Sequence, residues 1–295
     1  MHDNLRRPDQ TALMSNSAAS RRQLHTELYR LRLAAGLTQS DVARAHEWSA
    51  SKVHRIEKGH VSISRTDLLA LLDQYGVTDS HTVETFLDLA RDARRRPQYA
   101  AYSDVFSPEI IRYLGYEASA SWIGEMALTI VPGLLQTADY TRALMAAGQG
   151  LDGRRAERIV ASRAERQRML DRPQAPRVSF LLDESVLLRP IGGAAVLRAQ
   201  LAHLLEVARS PRVDVRVLPM ALGAHAGLRG SFVLLRFPAI TDPDIVFVEN
   251  RVGDAIFENE AEVTDNFTRV FDDLQGLAAE TDDLATVVGR ALRAL

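Results

Sequence analysis

The sequence predicts an all-α N-terminal bundle joined to an α+β domain with a small, mainly antiparallel sheet, and three observations carry that prediction. Between residues 21 and 96, apolar residues recur at three- and four-residue spacing in short segments, each opened by a Ser or Thr. Beyond residue 97, helical segments alternate with short runs rich in Val, Leu and Phe. Charge changes sign at the same border: residues 21–96 hold 13 basic and 10 acidic side chains, residues 97–295 hold 21 and 26. The whole chain averages to −2, which conceals a net +5 over residues 21–66.

Length and composition set the bounds. At 295 residues the chain fits about two domains of ~150 residues. Its 46% apolar and 25% charged content is that of a folded chain with real cores. With no cysteine, disulfide frameworks, zinc fingers, iron–sulfur clusters and thiol nucleophiles are excluded. No apolar run reaches the ~18 residues of a membrane span, and residues 1–20 lack the apolar stretch of a signal peptide, so a cytoplasmic protein without membrane contact is expected. Of the 36 basic residues only Lys52 and Lys58 are lysines.

The elements follow in order. Residues 1–20 are polar and patternless and read as a flexible tail. Leu24, Leu28 and Leu31 mark a first helix that stops at Gly36. Helices are then expected at about 38–45, 49–57, 64–74 and 80–95, so that the domain covers 21–96. In the second domain, 97–295, helices are expected at about 108–125, 136–147, 152–171, 193–209, 261–279 and 281–293. Strands are expected at Val178–Leu182, Val213–Leu218, Ser231–Phe237 and Ile245–Glu249, the last three forming an antiparallel meander.

The most informative stretch runs from Gly36 to Gly59. Thr38 caps a short helix that faces inward with Val42 and Ala43, and Glu47-Trp48 makes a turn whose corner Trp48 can plug. Ser49 caps the next helix, with Val53 and Ile56 inward and Ala50, Ser51, Lys52, His54 and Arg55 outward. Two short helices at an angle, the second polar and basic outside, form a helix-turn-helix. The Thr-Gln-x-x-Val-Ala opening, the capping Ser and the Ile-Glu-x-Gly close resemble the Cro/cI-type, or XRE, family of DNA-binding domains. That resemblance implies double-stranded DNA as partner, with Gln39 on a phosphate and buttressing the second helix. Ser49, Ala50, Ser51, Lys52, His54 and Arg55 would lie along the major groove, Arg55 best suited to guanine, and Lys58 and Arg65 would meet phosphate. Many relatives have Gly where this chain has Glu47, and a left-handed Glu costs about 1 kcal/mol. Without the motif, outward basic residues on short helices would read simply as a solvated face.

Four passages in the second domain resemble actinobacterial WhiJ-like, antitoxin-like regulators: Val131–Thr137 with Tyr140 and Arg142; Gly192-Gly193 leading to Gln200–Leu204; Val215–Pro219 with Gly223–Gly227 and Gly230–Phe232; and Val246–Glu249. The loop 223–230 around His225 lacks the Lys-Ser or Lys-Thr of a phosphate loop and reads as a strand connection. The arginines of 152–171 interleave with Glu157 and Glu165 and read first as a solvated charged face, with a supplementary DNA or partner surface as the alternative. No catalytic signature or metal-ligand spacing stands in the sequence, so no enzyme, no cofactor and no metal is expected. The resemblance implies a transcriptional regulator whose second domain senses a ligand or a small partner protein. The alternative is an antitoxin-like protein that neutralises a small partner encoded nearby and uses DNA only for autoregulation. A homodimer is expected because one recognition helix reads too few base pairs, with the apolar rows of 261–293 either pairing or covering the sheet.

Overall fold

The computed structural model describes residues 17–59, 61–148, 153–238, 243–249, 254–258, 260–279 and 283–295. The chain divides into two compact units, Met1–Gln98 and Tyr99–Leu295.

Among the described residues the first unit holds five helices, α1 (Ser17–Ala34), α2 (Gln39–Ala45), α3 (Ala50–Glu57), α4 (Arg65–Gln74) and α5 (Ser80–Ala93). Local chemistry sets their starts. The hydroxyls of Thr38, Ser49 and Ser64 accept from the backbone N–H groups of Asp41, Lys52 and Asp67 at 3.0–3.1 Å, and the Asp79 carboxylate accepts from Thr82. Asp41 returns a bond to the Thr38 N–H, closing a capping box. Leu28, Val42, Ile56, Leu68 and Leu72 are among the residues of one core on which all five helices turn an apolar face. The expected tail at 1–20 needs correcting at its end: residues 1–16 lie outside the described residues, but Ser17–Ser20 belong to α1. Ser17, Ser20 and Arg22 are buried there, so the inner face of this turn is polar and carries no apolar period.

The second unit is α+β. Its sheet has six strands in the order β3-β2-β1-β4-β5-β6: β1 (Trp122–Ala127), β2 (Arg177–Asp183), β3 (Val213–Leu218), β4 (Phe232–Arg236), β5 (Ile245–Val248) and β6 (Ala255–Glu258). The pairs β1–β2 and β2–β3 are parallel, while β4 pairs antiparallel with β1 and β5, and β5 with β6. Three of the five pairs are antiparallel, so the sheet is mainly antiparallel, as expected, but mixed rather than purely so. The crossovers between parallel strands are helical, as parallel connections require. They are α7 (Ala138–Gly148) and α8 (Gly153–Gln167), then α9 (Glu184–Leu188) and α10 (Ala194–Val207). Before β1 stands α6 (Pro108–Glu117), and after β6 come α11 (Ala261–Ala279) and α12 (Leu284–Ala294).

Three further expectations change. The helix expected at 108–125 ends at Glu117, and Trp122–Ala127 is the central strand. Both of its edges are paired, by β2 and β4, and this long-range pairing overrides local propensity. Gly124 has a structural role there, because a Cβ would lie 2.2 Å from the Trp122 ring and 3.0 Å from that of Phe271. The meander comprises β4, β5 and β6, not β3, which sits at the opposite edge. The helices α9 and the strand β6 are additional to the expected elements. Phe271 and Leu274 of α11 are fully buried with Met126, Leu181 and Leu234 on one face of the sheet. The apolar row of 261–279 is thus spent on the core, and β1 turns Ile123, Glu125 and Ala127 to the other face.

Candidate nucleic-acid interface

The α2–α3 turn fixes the candidate interface. The Trp48 N–H donates to the Ala43 carbonyl at 2.8 Å, and Glu47 has φ 56°, the left-handed conformation in which glycine carries no Cβ penalty. Trp48 packs against the core at the corner, its ring 4.9 Å from that of His46, whose Nε2 lies 2.8 Å from the Gln74 amide oxygen. Val53, Ile56 and Glu57 point inward along α3, and Ala50, Ser51, His54, Arg55 and Lys58 are exposed.

Beneath that face is a closed polar network. Arg32 of α1 donates through Nε to Glu57 at 2.5 Å and through Nη2 at 3.1 Å, and its Nη1 donates to the Leu37 carbonyl at 2.6 Å. Gln39 of α2 donates to the same Glu57 carboxylate at 2.7 Å. Both ionic side chains are less than a tenth exposed. The hydrogen bonds to Glu57 hold the Arg32 guanidinium above its ordinary pKa against the opposing effect of burial. One carboxylate thus ties three helices together at the end of α3. Neither Arg32 nor Glu57 was a candidate from the sequence. Glu57 lies in the Ile-Glu-x-Gly close, but its partner stands 25 residues earlier.

The sequence-derived residues fall into two groups. Arg55 is exposed, its Nε 3.3 Å from the Ser51 carbonyl, and has no ion-pair partner among the described residues. Ser51, Ala50, His54 and Lys58 share its face, and Ser49 and Arg65 are exposed at the starts of α3 and α4. Two candidates are already engaged. The Lys52 ammonium lies 3.0 Å from the Asp67 carboxylate and 3.6 Å from the centre of the Trp48 ring. The Gln39 amide is held by Glu57, so its buttressing geometry is present.

In the second unit, parts of three of the four resembling passages, Val131–Gly133 with Gln136, Gly230–Phe232, and Phe247 with Glu249, line one cavity of about 470 Å³. Gln136 folds back on its own turn, its amide donating to the Val131 carbonyl at 2.7 Å, and Thr137 caps α7. Gln200 of α10 braces this turn from behind by donating to the Leu135 carbonyl and accepting from the Thr137 N–H. Ser231 and Phe232 begin one wall, and Phe247 and Glu249 continue it. By contrast His225 is buried away from this cavity, its Nε2 3.9 Å from Asp183. Several arginines of α8 are paired: Arg158 with Asp104, and Arg166 with Glu117; Glu157 of the same helix pairs with Arg142 of α7. No group of three or more His, Asp or Glu suited to a metal occurs among the described residues, and no described helix is long and apolar enough to cross a membrane.

A capped two-helix motif with a basic outward face, followed by an α+β domain, defines a DNA-binding regulator of the helix-turn-helix class, and a helix-turn-helix domain family matches residues 23–84. The family described as Domain of unknown function (DUF5753) matches residues 110–290, more than half of the chain, and the chain belongs to that family. No curated protein and no solved structure matches.

Proposed function

We propose that the protein is a cytoplasmic, sequence-specific transcriptional regulator of the Cro/cI type that binds operator DNA as a homodimer. Its second domain, similar to WhiJ-like regulators, senses a ligand or a partner protein and acts by binding, not turnover. The outer face of α3 carries this reading: an unpaired, exposed Arg55 sits beside Ser51 on a helix held rigidly from below by Glu57. A guanidinium free to bond the O6 and N7 of guanine is worth about 1–3 kcal/mol of discrimination. Lys58 and Arg65 lie where phosphates would supply sequence-independent affinity.

Selection from a random duplex pool tests the reading. A recurring sequence with two related half-sites about one helical turn apart is expected to enrich. Enrichment of no sequence at low salt would contradict it. Lys58→Ala is expected to weaken all duplexes alike and to flatten the salt slope of log K by about one unit. A single chain bound per site, measured by light scattering with DNA, would remove the homodimer from the proposal.

A further inference from the structure

The cavity of the second unit is polar at its floor and aromatic on its walls. Glu125 of β1 lies on the floor, and Arg163 of α8 faces the same space. Beside them, Arg166 and Glu117 form a bidentate pair at 2.7 and 2.8 Å, and the Tyr113 hydroxyl donates to Glu117 at 2.7 Å, so those charges are compensated. Glu125 and Arg163 are not. Among the described residues, Glu125 has no hydrogen-bond or ion-pair partner, and Arg163 has only the neutral oxygen of Gln136. Glu249 adds a second carboxylate at the exposed rim. Phe106 and Phe247 form the apolar wall, with the Phe247 ring stacked on Tyr113 at 4.0 Å.

A carboxyl group and a guanidinium that share a cavity without pairing call for an intervening group. A purely cationic ligand would answer Glu125 and Glu249 but repel Arg163. A purely anionic one would answer Arg163 but repel the carboxylates. We propose that the cavity is a binding site for a small zwitterion, its ammonium directed to Glu125 and Glu249, its carboxylate to Arg163, and an apolar body against the phenylalanines. The volume suits a small organic ligand, and apolar walls with a few convergent polar groups are the usual build of such sites.

Titration agrees with the geometry. Burial, and then the Glu117 carboxylate, push the Glu125 pKa up to about 8 against the opposing pull of Arg166 and Arg163. Burial and then Arg166 bring the Arg163 guanidinium down to about 10. Each lacks a counter-charge, and a bound ammonium would lower the first while a bound carboxylate would raise the second. The inference gives the sensing role of the second domain a ligand chemistry.

Tryptophan, tryptamine and indole-3-propionate share one apolar body and differ only in charge, and each is titrated calorimetrically into the full chain. Tryptophan is expected to bind about tenfold or more tighter than either single-charge analogue. Glu125→Gln is expected to erase its advantage over indole-3-propionate, and Arg163→Met its advantage over tryptamine, with far-UV circular dichroism confirming both folds. No binding by any of the three, equal binding by all, or unchanged preferences in the variants would overturn the proposal. No DNA is present, so its failure leaves the operator-binding reading untouched, and failure of that reading leaves this one untouched.

Discussion

Each unit contains a buried arginine–glutamate pair, but their surroundings differ. Arg32–Glu57 is closed: the guanidinium uses all three nitrogens, and both carboxylate oxygens accept bonds, one of them also from Gln39. Arg166–Glu117 has the same bidentate form, yet Arg163 and Glu125 stand next to it without charged partners. A satisfied buried network fixes geometry, here the seat of α3. A network with open valences stores a demand for something else, and marks a place to look for a ligand.

The largest expected effect comes from breaking the closed network. Glu57→Gln leaves Arg32 buried without a counter-charge and should destabilise the first unit by about 3–5 kcal/mol, read as a lowered denaturant midpoint. Glu117→Gln should cost a similar amount in the second unit by the same mechanism. A loss below about 1 kcal/mol in either would show that water reaches the pair and that the network is not closed.

The next effect separates the units by pH. Glu125 binds its proton more tightly folded than unfolded, so its contribution is fully present below the ordinary glutamate range and is lost as pH rises towards about 8. Denaturation between pH 5 and 8 should show stability falling, by at most roughly 1.4 kcal/mol per pH unit from this group, with Glu125→Gln removing that slope. Asp41, its pKa lowered by its bonds with Thr38, works in the opposite sense: its contribution is present above the ordinary aspartate range and is lost as pH falls below it. The second unit should therefore weaken towards alkali and the α2 cap towards acid. Identical pH profiles for the parent and Glu125→Gln would refute this contrast.

The smallest expected effect lies in the turn. Glu47 holds a left-handed backbone at φ 56°, so Glu47→Gly should stabilise the first unit by up to about 1 kcal/mol without moving α3. A destabilised variant would mean that the flexibility glycine gives the unfolded chain outweighs the relieved strain.

The two units also differ in how far their sequence discloses them. In the first, the starts of α2 to α5 are each written within four residues, as in Thr38 with Asp41 or Asp79 with Thr82, and the core repeats at helical spacing. In the second, Trp122–Ala127 becomes a strand only because β2 and β4 flank it, one contributed 55 residues later and the other more than 100. Four half-buried residues, Ala255–Glu258, give β6 no apolar alternation to read. The interface face was legible because alternate burial along α3 is a local property. Lys52's attachment to Asp67 and Trp48 was not, since α4 supplies the carboxylate. The cavity was least legible: Gln136 and Glu249 stood in recognisable passages, but Glu125 and Arg163 acquire meaning only when β1 and α8 come together.

Operator discrimination by Arg55→Ala tests the central claim most directly. Parent and variant are compared on the selected operator and on its single-base substitutions, at one fixed salt concentration. The expected result is an unchanged melting temperature and a loss of about 1–3 kcal/mol confined to one or two base pairs, at which the variant no longer distinguishes the bases. Unchanged affinity and an unchanged base preference would contradict the assignment of α3 as the reading helix.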